Sequence, residues 1–297
     1  MSTRQKFIIA LEQNLLTVAI AVLIFLMYAP LIMYWYDGWL NKSISVEHEY
    51  FSHGIIGLPF AGYIAWTNRQ KWQNLANVFH PLGAVLLGIA GVWYISAIPD
   101  LINLSLIIML VGICLWFKGM PGLKLMGMPL LFILLASPNS IPYLIEPYAL
   151  PLQKFIAGIA GFILIQLQMN VTIDQIYLYV GGKIVEVAPH CVGLKMLFTS
   201  LYFSLMLLYW NGAIGSRIQT TFLLVSAVLL SVSANIFRNT VLTIFHGTGQ
   251  DEAFHWLHDG WGGDMYSAGI LVLLIIIMKW VDNYLISSLD FPNKSDI

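Results

Sequence analysis

The chain has 297 residues, 14 Lys plus Arg against 15 Asp plus Glu, a formal charge of -1 and only 10% charged residues, where a soluble domain carries about 25%. AVILMFWYC supply 59% of the residues and mean hydropathy is +0.78, more apolar surface than a water-soluble globule buries, so the chain reads as an integral membrane protein. The near-neutral balance excludes a nucleic-acid-binding domain, and two distant cysteines, Cys114 and Cys191, exclude a disulfide scaffold and read as independent thiols.

Arg4 and Lys6 precede the first apolar run, which continues from about Leu15 to Tyr36. That is too long for the core of a cleaved signal, so it reads as a retained span. Eight stretches predict spans of about 20 residues: 14–36, 52–68, 82–99, 101–117, 124–137, 191–210, 218–238 and 264–286. Phe155–Ile165 is a ninth apolar run of eleven residues, too short to cross, and predicts an interfacial or re-entrant helix. With the N-terminus cytoplasmic, the inner side carries Arg4, Lys6, Arg69, Lys71, Lys118, Lys124, Arg217, Lys279 and Lys294. The outer side carries Lys42, Lys154, Lys183, Lys195 and Arg238. Nine against five follows the positive-inside rule and places both termini inside.

The outer face then collects the irregular segments 37–51, 137–153, 172–187 and 245–263. In Thr172–Val187, alternating β-branched, aromatic and polar residues around Gly181-Gly182 predict a short extracytoplasmic β-hairpin. The expected fold is an all-α multi-pass membrane protein, a single polytopic domain over 1–297 with a polar tail at 289–297, interrupted only by that hairpin.

Cys191 follows Ala188-Pro189-His190 and opens a membrane helix. A cysteine in a first helical turn feels the positive end of the helix dipole, which favours thiolate. Lys195, four residues on, shares its face. The alternative reading is a small apolar packing residue, and Cys114 in LVGICLWF fits that reading best. Arg238 in SANIFRNT stands at the end of an apolar run, where an arginine costs roughly 2.5–3.5 kcal/mol to insert. It reads either as a snorkelling side chain or as a fixed cation for a carboxylate or oxyanion, with Asn235 on the same face. His255 and His258 in AFHWLHDGWGG share a helical face, with Asp259 and Asp264 close in sequence to orient a ring. The alternatives there are a hydrated loop or a metal site, although no H-E-x-x-H pattern is present. Tyr50 and His53, in EHEYFSHG, read as substrate contacts or interfacial packing; His80 and His246 have no assigned role. Thiol, guanidinium and imidazole on one membrane face form a self-consistent acyl-transfer set.

These residues, in this order, resemble the exosortase/archaeosortase family of membrane-embedded cysteine transpeptidases. EYFSHGIIGLPFAGYIAW resembles the family's early Tyr-Ser-His-Gly segment, with Phe51 where Tyr is usual. VAPHCVGLKML resembles its Cys-Ser/Ala-Gly-Leu motif, with Val192 for the small residue. ANIFRNTVL resembles Asn-x-x-Arg, and FHWLHDGWGGDMYSAG the His-bearing motif; within the family the chain resembles the cyanobacterial kind. The resemblance implies Cys191 as nucleophile, Arg238 and His258 as its partners, and His255 as the alternative base. It implies a plasma-membrane protein-sorting enzyme with no metal or other cofactor. Its partners would be the C-terminal signals of secreted proteins (a Pro-Glu-Pro-like, PEP-CTERM motif, one membrane helix and a basic tail), an unidentified acceptor amine and membrane lipids, with no nucleic acid. The rival readings are a transporter or channel with Arg238 and the histidines along a polar pathway, a non-enzymatic membrane assembly factor, and a metal-dependent protease.

Overall fold

A computed structural model of the chain describes residues 3–41, 50–187, 194–258 and 260–289. Two expected site residues, Cys191 and Asp259, lie outside the described residues. The chain divides into two compact units, residues 1–41 with 54–139 and residues 42–53 with 140–297.

In the first unit are α1 (Thr3–Leu40), α2 (Gly54–Thr67), α3 (Arg69–Asn74), α4 (Pro81–Tyr94) and α5 (Pro99–Ala136). Three polar pairings in these apolar helices are made within the unit. Trp35 Nε1 donates to Asn103 Oδ1 at 2.7 Å, Tyr28 and Ser105 hydroxyls pair at 3.1 Å, and Tyr94 donates to the Met27 carbonyl at 2.6 Å. Such pairing removes the penalty of an unsatisfied polar group in an apolar surround. The 38 residues of α5 are not one rod. Gly119 has φ +59° and ψ -153°, a conformation open to glycine, and the helix breaks there. Ile107, Cys114 and Leu130 share one buried cluster, whereas a straight helix would hold Ile107 and Leu130 about 35 Å apart. The limbs therefore fold back on each other, along the stretches read from sequence as 101–117 and 124–137.

The second unit holds α6 (Ile141–Ile145), a 3-10 turn (Glu146–Ala149), α7 (Leu150–Gln166), β1 (Val171–Asp174), β2 (Tyr177–Val180), β3 (Lys183–Glu186), α8 (Leu194–Trp210), α9 (Arg217–Gly247), α10 (Asp251–His258) and α11 (Trp261–Leu289). The expected hairpin is instead a three-stranded antiparallel sheet in the order β1-β2-β3. Gly181 and Gly182, at φ +57° and +76°, make the expected tight turn between β2 and β3. The extra strand arises because Gln175 takes φ +55° and reverses the chain where no Gly, Asn or Pro marks it. Ile156, Ala157, Ala160, Leu164, Leu178 and Val187 form a buried cluster, which lays the sheet along α7.

Helices α8 and α9 form an antiparallel pair. Leu208 packs with Leu223 and with Met278 of α11 at one end, and Met196 with Ala234 and Ile270 at the other. Helix α9 has 31 residues, about 46 Å, longer than the roughly 30 Å hydrocarbon core. It outlasts the apolar run that suggested its end near Arg238. The excess carries Ile236 and Ile244 against the α7–sheet cluster.

Among the described residues, five helical stretches are long and apolar enough to cross a membrane: Val18–Leu40, Pro99–Ala136, Pro147–Gln166, Arg217–Gly247 and Trp261–Tyr284. Three more, Gly54–Thr67, Pro81–Tyr94 and Leu194–Trp210, are apolar but short. These lengths establish a multi-pass membrane protein rather than a count of eight crossings. Pro147–Gln166 also departs from expectation. The turn preceding α7 extends it to 20 residues, so length alone does not keep it from crossing.

Candidate active site

The site is built on the polar last third of α9. Asn235, Asn239, Leu242 and His246 recur at helical spacing, and Asn235 and Asn239 are buried. Asn239 Nδ2 donates back to the Asn235 carbonyl at 2.9 Å, which ties this stripe to its own helix. Arg238 leaves the same stretch toward the start of α11. Its Nη2 donates to the His258 carbonyl at 3.1 Å. A Cβ placed on Gly263 would lie 3.7 Å from that nitrogen. The Arg238 Nε is buried and finds no hydrogen-bond partner among the described residues. The guanidinium thus has one donor fixed on the chain reversal between α10 and α11 and another left over. Tyr266, on α11, donates to the Ala234 carbonyl at 2.6 Å and locks α11 to α9 one turn before Arg238.

His258 closes α10. Its ring stacks on Phe254, with centroids 5.1 Å apart and planes 10° from parallel. It lines a pocket of about 120 Å³ together with Phe254, Asn239, Leu242 and His246. His255 stands edge-on to Phe254 and is exposed, outside that pocket. The two histidines that share a helical face in sequence are therefore separated by the structure. His246, to which the sequence assigned no role, lines the pocket. Its ring faces Phe254 at 5.1 Å, and its Nδ1 is 3.9 Å from Asp251. The signal for His246 and Asn239 was in the sequence, as the spacing 235, 239, 242, 246, and it emerges only once the helix is carried past Arg238.

Lys183, on β3, forms an ion pair with Asp251 at 3.0 Å. The hydrogen bond and charge of Lys183 hold the Asp251 carboxyl below its ordinary range. The turn between β2 and β3 is pinned beside it. A Cβ on Gly181 would stand 2.2 Å from the Gly247 carbonyl oxygen, and one on Gly247 would stand 2.7 Å from Val180.

The remaining candidates fall as follows. Lys195 is half-buried in the first turn of α8, and Asp264 is exposed in the first turn of α11. Tyr50 and His53 are buried, packed edge-on to Phe198 at 6.1 Å and face-tilted to Tyr202 at 4.4 Å. Both partners lie on α8, the helix that follows Cys191, so these two side chains brace that helix. Although Cys191 is outside the described residues, both flanks of its segment are placed. Val187 is buried in the α7–sheet cluster, with Ile236 and Ile244 of α9 packed against that cluster, and its carbonyl accepts from Gln153 at 3.0 Å. Met196, just beyond, packs on Ala234. Among the described residues no three His, Cys, Asp or Glu side chains converge as a metal site would require.

Residues 39–275 match the transmembrane exosortase family. The chain belongs to that family. A search of curated proteins and a search of solved structures each found no match. Exosortases are membrane-embedded sorting transpeptidases of the cysteine type, acting on secreted proteins. The match spans every motif that carried the resemblance, from Tyr50 through Cys191 and Arg238 to His258.

Proposed function

We propose that this exosortase cleaves the C-terminal sorting signal of secreted proteins at the outer side of the plasma membrane, with Cys191 as nucleophile, Arg238 as oxyanion or carboxylate ligand and His258 as proton carrier. The observation that carries the reading is the Arg238 hydrogen bond to the His258 carbonyl. It joins two sequence-distant candidates at one end of the α8–α9–α11 bundle, while the flanks of Cys191 lie against residues 234–244 of α9. Cys191 is three residue steps from Leu194, a reach of at most about 11 Å.

His258 takes the thiol proton and leaves a thiolate. The sulfur attacks a substrate carbonyl carbon, a C–S bond forms and the carbonyl electron pair moves to oxygen. The spare Arg238 Nε–H supports that oxyanion, the kind of preorganised donor that contributes most where water is excluded. As the intermediate collapses, the C–N bond breaks and the His258 imidazolium protonates the leaving amine. The thioester then passes to an acceptor amine or to water, whose proton His258 accepts as the thiolate departs. The stacked Phe254 ring restrains the imidazole, so its nitrogens are presented from a fixed plane.

Aromatic and basic residues support this sidedness. Trp261 and Trp280 are exposed on α11, about 29 Å apart along the helix, which matches two interfacial belts across a bilayer. Arg217 and Lys279 lie at the Trp280 end, the cytoplasmic one by the positive-inside rule, which supports an outer site and a cytoplasmic C-terminus; Arg4 and Lys6 support a cytoplasmic N-terminus. Under this reading α7 does not cross. The sheet that lies along it has open edges among the described residues and carries Asp174, Lys183 and Glu186, and hydrocarbon does not accept open sheet edges. The ionisable groups on the spanning helices of the second unit, Lys195, Arg217, Arg238, Asp264, Lys279 and Asp282, stand near the ends of the apolar runs rather than along a path through the bilayer, which favours a peptidase over a transporter.

The test is Cys191→Ala. In cells, processing of membrane-anchored secretory precursors should stop while the protein remains in the membrane, and Cys114→Ala should process normally. Normal processing by Cys191→Ala overturns the mechanism. A thioester-linked fragment trapped on the Cys191 sulfur would support it directly.

A further inference from the structure

The pocket beside His258 has a wall that the mechanism does not use. Ile184, Val185 and Glu186 of β3 all line it. Successive side chains of a strand point to opposite faces, so three consecutive residues can border one cavity only along the strand's edge. One edge of β3 is taken by β2, in the register Tyr177↔Glu186 to Val180↔Lys183. The pocket therefore follows the other edge. The bond from Val187 N to the Ile176 carbonyl sets the alternation: residues 183, 185 and 187 face β2, while the backbone N–H and C=O of Ile184 and Glu186 face outward. Among the described residues nothing bonds those four groups. Ile184 is 58% exposed.

From this geometry we infer that the free edge of β3 receives the substrate as an added strand: an extended polypeptide whose main chain hydrogen-bonds Ile184 and Glu186 while its scissile carbonyl is presented toward His258. This deepens the peptidase reading and rests on it. An open strand edge binds peptide main chain irrespective of sequence. A strand so added runs about 4.8 Å from β3, between it and Phe254 and His258 of α10. The occupant is a single extended chain rather than a second copy of this protein, because the edge opens onto the pocket of His258, where the peptide to be cut must lie, and α9 and α10 wall that pocket on its other sides. Sequence selectivity would then come from the side chains around the edge, and affinity from the backbone.

The test uses two thiol probes on full-length protein in membranes, iodoacetamide and a tetra-alanine vinyl sulfone. In the vinyl sulfone the sulfur of Cys191 adds to the β-carbon and a proton adds to the α-carbon. Iodoacetamide reads thiolate reactivity alone, and the peptide probe also reads strand docking. N-methylating alternate amides of the peptide on the edge-facing register should slow its labelling of Cys191 roughly five- to tenfold, the loss expected for one or two backbone hydrogen bonds. Methylation on the opposite register should not. Ile184→Pro removes an outward N–H while sparing the β2 ladder and should slow the peptide probe similarly with iodoacetamide labelling unchanged. Equal labelling by both methylated registers and by Ile184→Pro, with Cys191 still reacting with iodoacetamide, overturns strand docking and leaves the nucleophile standing. A Cys191 that labels with neither probe overturns the thiolate reading and this inference with it. Faster peptide labelling on dilution, together with a dimer that dissociates, would assign the edge to a second copy and also overturn it.

Discussion

Arg238 illustrates how a side chain that is costly in a membrane is retained. Its placement near the end of an apolar run is offset by a carbonyl acceptor at the end of α10, while its Nε is buried with no hydrogen-bond partner among the described residues. Arg238→Ala should lower the rate of substrate cleavage by about 10²–10³-fold, as loss of an oxyanion donor does. Arg238→Lys should recover only part of that, because one ammonium cannot serve the His258 carbonyl and a second acceptor in the planar geometry of a guanidinium. The histidines separate in the same assay. His258→Ala should cost about 10²–10⁴-fold, whereas His255→Ala, exposed and outside the pocket, should cleave near the wild-type rate. Equal losses from both substitutions would return the proton-transfer role to an open choice between them.

At the scale of elements, the sheet is fastened to the end of α9 by contacts too close for any side chain. Gly181→Ala combines a left-handed backbone, about 1–2 kcal/mol for an L-residue, with a Cβ inside contact distance of the Gly247 carbonyl. Its thermal unfolding should begin at lower temperature than that of Gly182→Ala, which pays for its φ alone, since a Cβ there meets nothing within 4 Å. The Lys183–Asp251 pair fastens β3 to α10 under pH control. Its partner holds the Asp251 carboxyl below its ordinary 3.8. The pair's contribution is therefore present above that value and is lost as pH falls through the lowered one. Amide exchange around residues 180–184 should accelerate on acidification below about pH 4 in the wild type, and Asp251→Asn should show the faster exchange already at neutral pH.

For the molecule as a whole, the end of the second unit that holds the site and the end that holds Arg217 and Lys279 lie on opposite sides of the bilayer in the proposed topology. In a background lacking Cys114 and Cys191, Trp256→Cys should react in intact cells with a membrane-impermeant maleimide, and Trp210→Cys should react only after permeabilisation. The reverse pattern would turn the protein over and place the chemistry in the cytoplasm.

What the sequence determined by itself was whatever depends on composition and order. Few charges and long apolar runs can only be accommodated in lipid, and the ordered Tyr-Ser-His-Gly-like, Cys, Asn-x-x-Arg and His segments carried the family, which the match over 39–275 bears out. The tertiary structure decided whatever depends on packing. Helix α9 runs on past Arg238, where Ile244 packs with Ile236 against the α7–sheet cluster, and only that extension brings His246 and Asn239 to the pocket. A third strand exists because Gln175 accepts a backbone that no local residue preference announces. His258 is distinguished from His255 because Phe254 and α9 enclose one ring and leave the other in solvent, a difference in surroundings that two residues on one helical face cannot reveal on their own.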